Sequence, residues 1–207
     1  MNYSELVAQI KNFLEDDSTE FSNSIDAIID QAESMIFQRL PNLPAFRQSA
    51  TGTLTSGTSS YTISNARIIR NVAVTVSSNV TYLNHRIDSY LKDYWPNAST
   101  TGQPIMYSTD SASTSGTVIT LAPTPNSNYS YEVEFSAPAT GLSSSNTTSW
   151  LGANAENALL SACLYEASAF LKAPETLTLY KAQFDEAAQL MQQEMLRDYA
   201  SEYNGGI

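Results

Sequence analysis

The apolar positions change period twice along the chain. Leu6, Val7, Ile10, Phe13 and Leu14 recur at helical spacing and predict an amphipathic helix over roughly the first fourteen residues. Asp16 to Glu20 is polar and reads as a loop. A second helix is expected from about Ser22 to Ser24, which are suitable N-caps, with Ile25, Ile28, Ile29, Ala32, Ile36 and Leu40 on its apolar face. Pro41 and Pro44 end it, because proline lacks the amide hydrogen and clashes with the preceding turn.

Beyond Gln48 the period shortens. Thr53 to Thr55 and Tyr61 to Ile63 flank Ser56-Gly57-Thr58 and predict a hairpin. Ile68 to Val76 is rich in β-branched residues and predicts a strand, followed by a short one over Val80 to Leu83. Ile87 to Trp95 reads as a helical turn with Ile87, Leu91 and Tyr94 on one side and Pro96 as its stop. Further strands are expected over Gln103 to Ser108, Val118 to Leu121 and Tyr129 to Phe135. In the last, Tyr129, Tyr131, Val133 and Phe135 share one face, and Glu132 and Glu134 take the other.

Helical spacing returns at Asn154. Leu159, Leu160, Cys163, Leu164, Ala167, Phe170 and Leu171 form a broad apolar stripe of the kind a largely buried helix carries. Pro174 suits the first turn of a final helix bearing Tyr180, Phe184, Ala187, Met191 and Met195. The expected fold class is therefore α+β: a helical bundle formed by residues 1–47 and 150–207, carrying an inserted small antiparallel β-sandwich or barrel over residues 48–149. The final helix, Pro174 to about Tyr199, is on the order of 35–40 Å long and outreaches the shorter helix before it. Its end then projects Met195, Leu196, Tyr199 and Tyr203, apolar and aromatic groups typical of interface anchors, with Gly205-Gly206 as a flexible terminus. The alternative is that these turns fray in solvent.

Composition narrows the function. Charged residues make up 15% of the 207, against roughly 25% in an average soluble domain. Ser, Thr and Asn replace them between Gln48 and Ser149, and such a surface can be covered by another subunit with little desolvation cost. The formal net charge is -11, and the ten basic residues are scattered, which argues against a tight grip on nucleic-acid phosphates. Met1 to Leu14 reads neither as a signal peptide nor as a membrane span, and an intracellular origin, with no membrane partner, is the expectation.

Candidate chemistry is sparse. The single histidine, His85, just before a charged, Tyr-rich segment, reads as a surface or packing residue rather than a catalytic base. The single cysteine, Cys163, permits no intramolecular disulfide and reads as a small buried hydrophobe, and no His/Cys zinc spacing occurs. Gly52 and Gly57 are isolated turn glycines rather than a phosphate loop. Asp16-Asp17, Asp26/Asp30 and Asp185/Glu186 could bind calcium or serve a glycosidase, but none has the oxygen spacing of a calcium loop, and Asp26/Asp30 reads as a solvated helix face. The sequons at Asn79, Asn97, Asn128 and Asn146 are taken as chance in so Asn/Ser/Thr-rich a chain. No catalytic, cofactor-binding or metal-ligating residue is assigned. A carbohydrate-binding or host-recognition tail protein is the rival reading, prompted by the tyrosine content, and a small glycosidase a more distant one.

Several short motifs, in order, resemble a known family. Tyr61-Thr62-Ile63 is followed by Leu83, Leu91, Tyr94 and Pro96, then by Gly102-Gln103-Pro104 and Tyr107. Next come Ile119 to Pro125, then Asn146 to Leu151, Leu159-Leu160, Tyr165-Glu166-Ala167 and Phe170-Leu171. Together they resemble the head-to-tail adaptor (connector) proteins of tailed bacteriophages, the group that includes the adaptor of the short-tailed phage SU10. The resemblance implies a structural virion protein of the neck, made in the host cytoplasm. It implies a ring, a dodecamer, below the capsid portal protein, bridging it to a tail or nozzle protein while genomic DNA passes through the centre without tight binding. It also implies that the C-terminal segment, with Met195, Leu196, Tyr199 and Tyr203, docks on the portal.

Overall fold

The computed structural model describes residues 1–204 apart from Ala98 and Ala112, with only the backbone for positions 198–204. The chain divides into two compact units, Met1–Phe46 with Pro138–Ile207, and Arg47–Ala137. Residues 138–149 thus lie with the helical unit.

In that unit, α1 (Tyr3–Leu14) opens with a capping box: Asn2 accepts from the Glu5 amide and the Glu5 carboxylate accepts from the Asn2 amide. Leu6 and Ile10 are buried, whereas Phe13 is 56% exposed, so the inward stripe is narrower than the spacing implies. Helix α2 (Thr19–Arg39) starts before Ser22: Ser18 is its N-cap and accepts from Phe21 N–H. The physical reason is Phe21, which is buried one turn ahead of Ile25 and extends the apolar face that Ile25, Ile28, Ile29, Ala32 and Ile36 continue. Pro44–Phe46 forms a single 3₁₀ turn.

The chain becomes helical again at α4 (Trp150–Asn154), capped by Ser149, ahead of the expected start at Asn154. Then come α5 (Glu156–Phe170) and α6 (Pro174–Asn204). Lys172 in the left-handed region and Pro174 in the first turn separate the last two. Helices α5 and α6 pack together, and α5 also packs on α1 and α2. Their core comprises the buried faces of α1 and α2 together with Leu142, Leu159, Ala162, Cys163, Ala167, Phe184 and Ala188.

Among the described residues the other unit contains ten strands: β1 (Arg47–Leu54), β2 (Ser60–Ser64), β3 (Ile68–Val76), β4 (Asn79–Tyr82), β5 (Asn84–His85), β6 (Thr101–Gly102), β7 (Met106–Asp110), β8 (Gly116–Ala122), β9 (Thr124–Pro125) and β10 (Tyr129–Ser136), with α3 (Asp88–Tyr94) after β5. One sheet has the order β1-β10-β3-β4, another β2-β8-β7-β5, and β6 pairs β9. Both four-stranded sheets contribute to one core: Leu54, Val72, Val74, Val133 and Phe135 from the first, Ile63, Tyr107, Ile119 and Leu121 from the second. Pairing is antiparallel except for β5 with β7 and β6 with β9, and no barrel closes among the described residues. The fold is α+β.

The expected hairpin around Ser56-Gly57-Thr58 does not form. β1 pairs β10 and β2 pairs β8, so the segment between them crosses from one sheet to the other. The Tyr61 hydroxyl organises this crossing, accepting from Thr55 N–H at 2.7 Å and lying 3.2 and 3.1 Å from the carbonyls of Thr55 and Thr58. The strand expected from Gln103 begins at Met106. Of the three apolar groups placed on one side of α3, only Leu91 is buried; Ile87 and Tyr94 face outward. A helix of seven residues has too few turns to bury a stripe, and Leu91 alone reaches the core.

Candidate assembly surface

The longest element, α6, has 31 residues and α5 has 15, so at 1.5 Å per residue α6 exceeds α5 by roughly 24 Å. Its inward face is set by Tyr180, Phe184 and Ala188, which are buried, with Ala187, Met191 and Met195 packed partly against the same core. Its outward face carries Leu179, Leu190 and Leu196, all more than half exposed. The docking candidates are therefore not equivalent. Met195 leans into the bundle, and Leu196 is 62% exposed. Tyr199 and Tyr203 lie on the helix, but their side chains, like Gly205-Gly206, are outside the described residues. Leu179 and Leu190 escaped the sequence reading because they fall between the positions of the inward stripe.

The charge is divided unevenly. The helical unit holds sixteen acidic and five basic side chains, and the β unit five of each. The whole formal charge of -11 thus resides on the unit that carries α6.

In the β unit, His85 is exposed, with Nε2 3.3 Å from the Thr109 hydroxyl and its ring against Tyr107. Around it runs a row of aromatic groups: Tyr90 stacks on Tyr94 at 5.3 Å, Tyr94 on Trp95 at 5.8 Å, and the Arg86 guanidinium covers Tyr90. This row was not legible as a cluster in the sequence, since helical spacing brings Tyr90 over Tyr94 and the chain turn after α3 brings Trp95 alongside. Tyr94 is 61% exposed and Tyr90 37%.

The carboxylate pairs do not converge. Asp26 accepts from the Tyr3 hydroxyl, Asp16 accepts from Ser18 N–H, and Asp185 pairs with Lys181 one helical turn away. The Tyr3 hydrogen bond to Asp26 pushes the phenol up to about 12. Asn128 accepts from Ser56 N–H, and Asn146 donates to the carbonyls of Thr140 and Gly141, so both sequon side chains are engaged in loop structure. Cys163 is fully buried, and burial pushes its thiol up, away from reactivity. Among the described residues no group of three or more His, Cys, Asp or Glu could hold a metal ion, and no helix is long and apolar enough to cross a membrane.

What the site offers is contact surface: exposed leucines along α6 and exposed aromatic groups on the β unit. Comparison with known proteins agrees in kind. No curated protein matches the chain. A family model described as SU10 adaptor protein matches residues 1–205, nearly the entire sequence, and the chain belongs to this family of bacteriophage structural adaptors.

Proposed function

We propose that the protein is a non-catalytic head-to-tail adaptor that joins the capsid portal to the tail or nozzle, with copies arranged in a ring, a dodecamer, around the path of the DNA. The observation that carries this reading is the family match over residues 1–205, which includes both units rather than one. A ring needs one heterologous contact repeated until it closes, and such a contact favours a surface of few charges, as the β unit has. The acidic helical unit is suited to let DNA pass without holding it.

Docking on the portal is assigned to the end of α6. Leu196 is an exposed apolar group there, and a side chain that is already solvated can be buried by a partner without first being removed from the chain's own core. Met195 has a mixed role because it also touches that core. Removal of residues 196–207 should leave a folded protein that no longer attaches to portal rings. Leu196→Ala should weaken attachment by about tenfold, the ~1–2 kcal/mol of a buried apolar contact, while the melting temperature stays unchanged. Unaltered portal affinity of the truncated chain in a binding assay contradicts the docking role.

A further inference from the structure

The sheet β1-β10-β3-β4 ends in two strands whose outer edges are unpaired. Strand β4 leaves its turn with Asn79 opposite Val76. That pair and Thr81 with Val74 carry the hydrogen bonds to β3, and Leu83 N–H continues the series onto the Val72 carbonyl at 2.8 Å. Val80 and Tyr82 lie between these pairs, so their N–H and C=O groups turn away from β3. The same alternation runs across the sheet. Ala73 and Thr75 bond to β10, Tyr131 and Val133 bond to β1, and the backbone groups of Ser49, Thr51 and Thr53 point out of the opposite edge. Among the described residues no hydrogen bond reaches the backbone of these five. Their side chains are exposed as well, Val80 by 61% and Tyr82 by 65%. Neither strand contains Lys, Pro, Asp or Glu, which commonly keep such edges apart, and Arg47 is the one charge.

We propose that β4 of one copy takes β1 of the next as an added antiparallel strand, so that the sheet runs on from copy to copy. The two edges match in direction. The four strands alternate, so in a copy rotated about an axis along the strands, β1 arrives antiparallel to β4. They match in hydrogen bonding. Val80 and Tyr82 meet Thr53 and Thr51 or, two residues along, Thr51 and Ser49, with β-branched and aromatic side chains across from one another. They are compatible in charge. Two chains of formal charge -11 approach most easily where carboxylates are absent from both strands; Glu132 and Glu134 lie one strand further in, on β10. The contact joins two different edges and is therefore heterologous, the kind that closes into a ring. It deepens the ring reading above and rests on that reading for closure. With two outward residues on β4 each contact is short, and its repetition around the ring is what makes it hold.

Cysteine crosslinking tests this, since Cys163 is fully buried and stays out of the reaction. Thr51→Cys combined with Tyr82→Cys, and Thr51→Cys combined with Val80→Cys, cover both registers. Each is treated with a short bis-maleimide, in phage particles and as the concentrated purified chain. One pair should give a ladder of covalent multimers beyond the dimer on a denaturing gel, and each cysteine alone should give none. Val80→Pro in the first pair, or Tyr82→Pro in the second, deletes an outward N–H and none of the bonds to β3. It should abolish the ladder while moving the melting temperature by less than about 3 °C. No ladder in either preparation overturns the contact. So does a dimer from Val80→Cys or Tyr82→Cys alone, which would mean β4 against β4, or a ladder that survives the proline. The cysteine pairs decide the matter even if the proline variants do not fold. A ladder without ring density between portal and tail leaves this contact standing and removes the adaptor reading; ring density without a ladder does the reverse.

Discussion

Ser77 and Ser78 show how single residues set this fold at some expense in local preference. Both lie in the left-handed region, with φ of 49° and 68°, and together they form the two-residue turn between β3 and β4. Such a turn favours Asn-Gly, and serine there costs roughly 1 kcal/mol per residue. Ser78→Gly should therefore stabilise the protein by about 0.5–1 kcal/mol, seen as an upward shift in a thermal or denaturant unfolding curve; a lower midpoint would show that the serine side chain holds the turn. The sequence marked both strands of this hairpin but not its turn, whereas Ser56-Gly57-Thr58 did look like a hairpin turn and is a crossing between sheets. The residues that produced the family resemblance have a structural explanation too. Leu83, Leu91, Tyr107, Ile119 and Leu121 are buried in the β unit. Gly102 pairs with Pro125, and a side chain there would put its Cβ 2.8 Å from the Pro123 ring. Gly102-Gln103-Pro104 and Pro123-Thr124-Pro125 thus meet in one contact within the β unit.

Among the elements, legibility follows burial. The inward faces of α2 and β10 could be read from spacing because each has one buried and one exposed face, while α5, packed on α1, α2 and α6, shows the broad stripe of a largely buried helix. Boundaries failed where a local interaction outweighs periodicity, as at Ser18, where the capping bond and buried Phe21 lengthen α2. The segment 138–149 is the clearest omission. Its Ser, Thr and Asn look like a loop, yet Leu142 is a core residue. Leu142→Ala should destabilise the helical unit by about 2–5 kcal/mol, a core-sized loss from a loop position, measurable by denaturant unfolding. A change under about 0.5 kcal/mol would mean that the segment only lies on the surface. The length of α6 was legible from the sequence, but Met195, expected to project, packs against the core, and spacing missed Leu179 and Leu190, whose exposure only the packed helix shows.

For the molecule as a whole, the formal charge of -11 predicted indifference to DNA, and its concentration on the helical unit sharpens the expectation. The protein should bind duplex DNA weakly or not at all at ~150 mM salt, because nonspecific affinity there is typically only ~10⁻⁴–10⁻⁶ M. Sub-micromolar binding in a fluorescence anisotropy titration would contradict this. The family match and the exposed leucines of α6 support an account in which the protein works through contact. The most direct measurement is the position of this chain in the assembled phage particle, by electron cryomicroscopy. The account predicts a ring of copies between portal and tail, with the end of α6 against the portal. Density for this chain at the tail tip, or its absence from the particle, would contradict it.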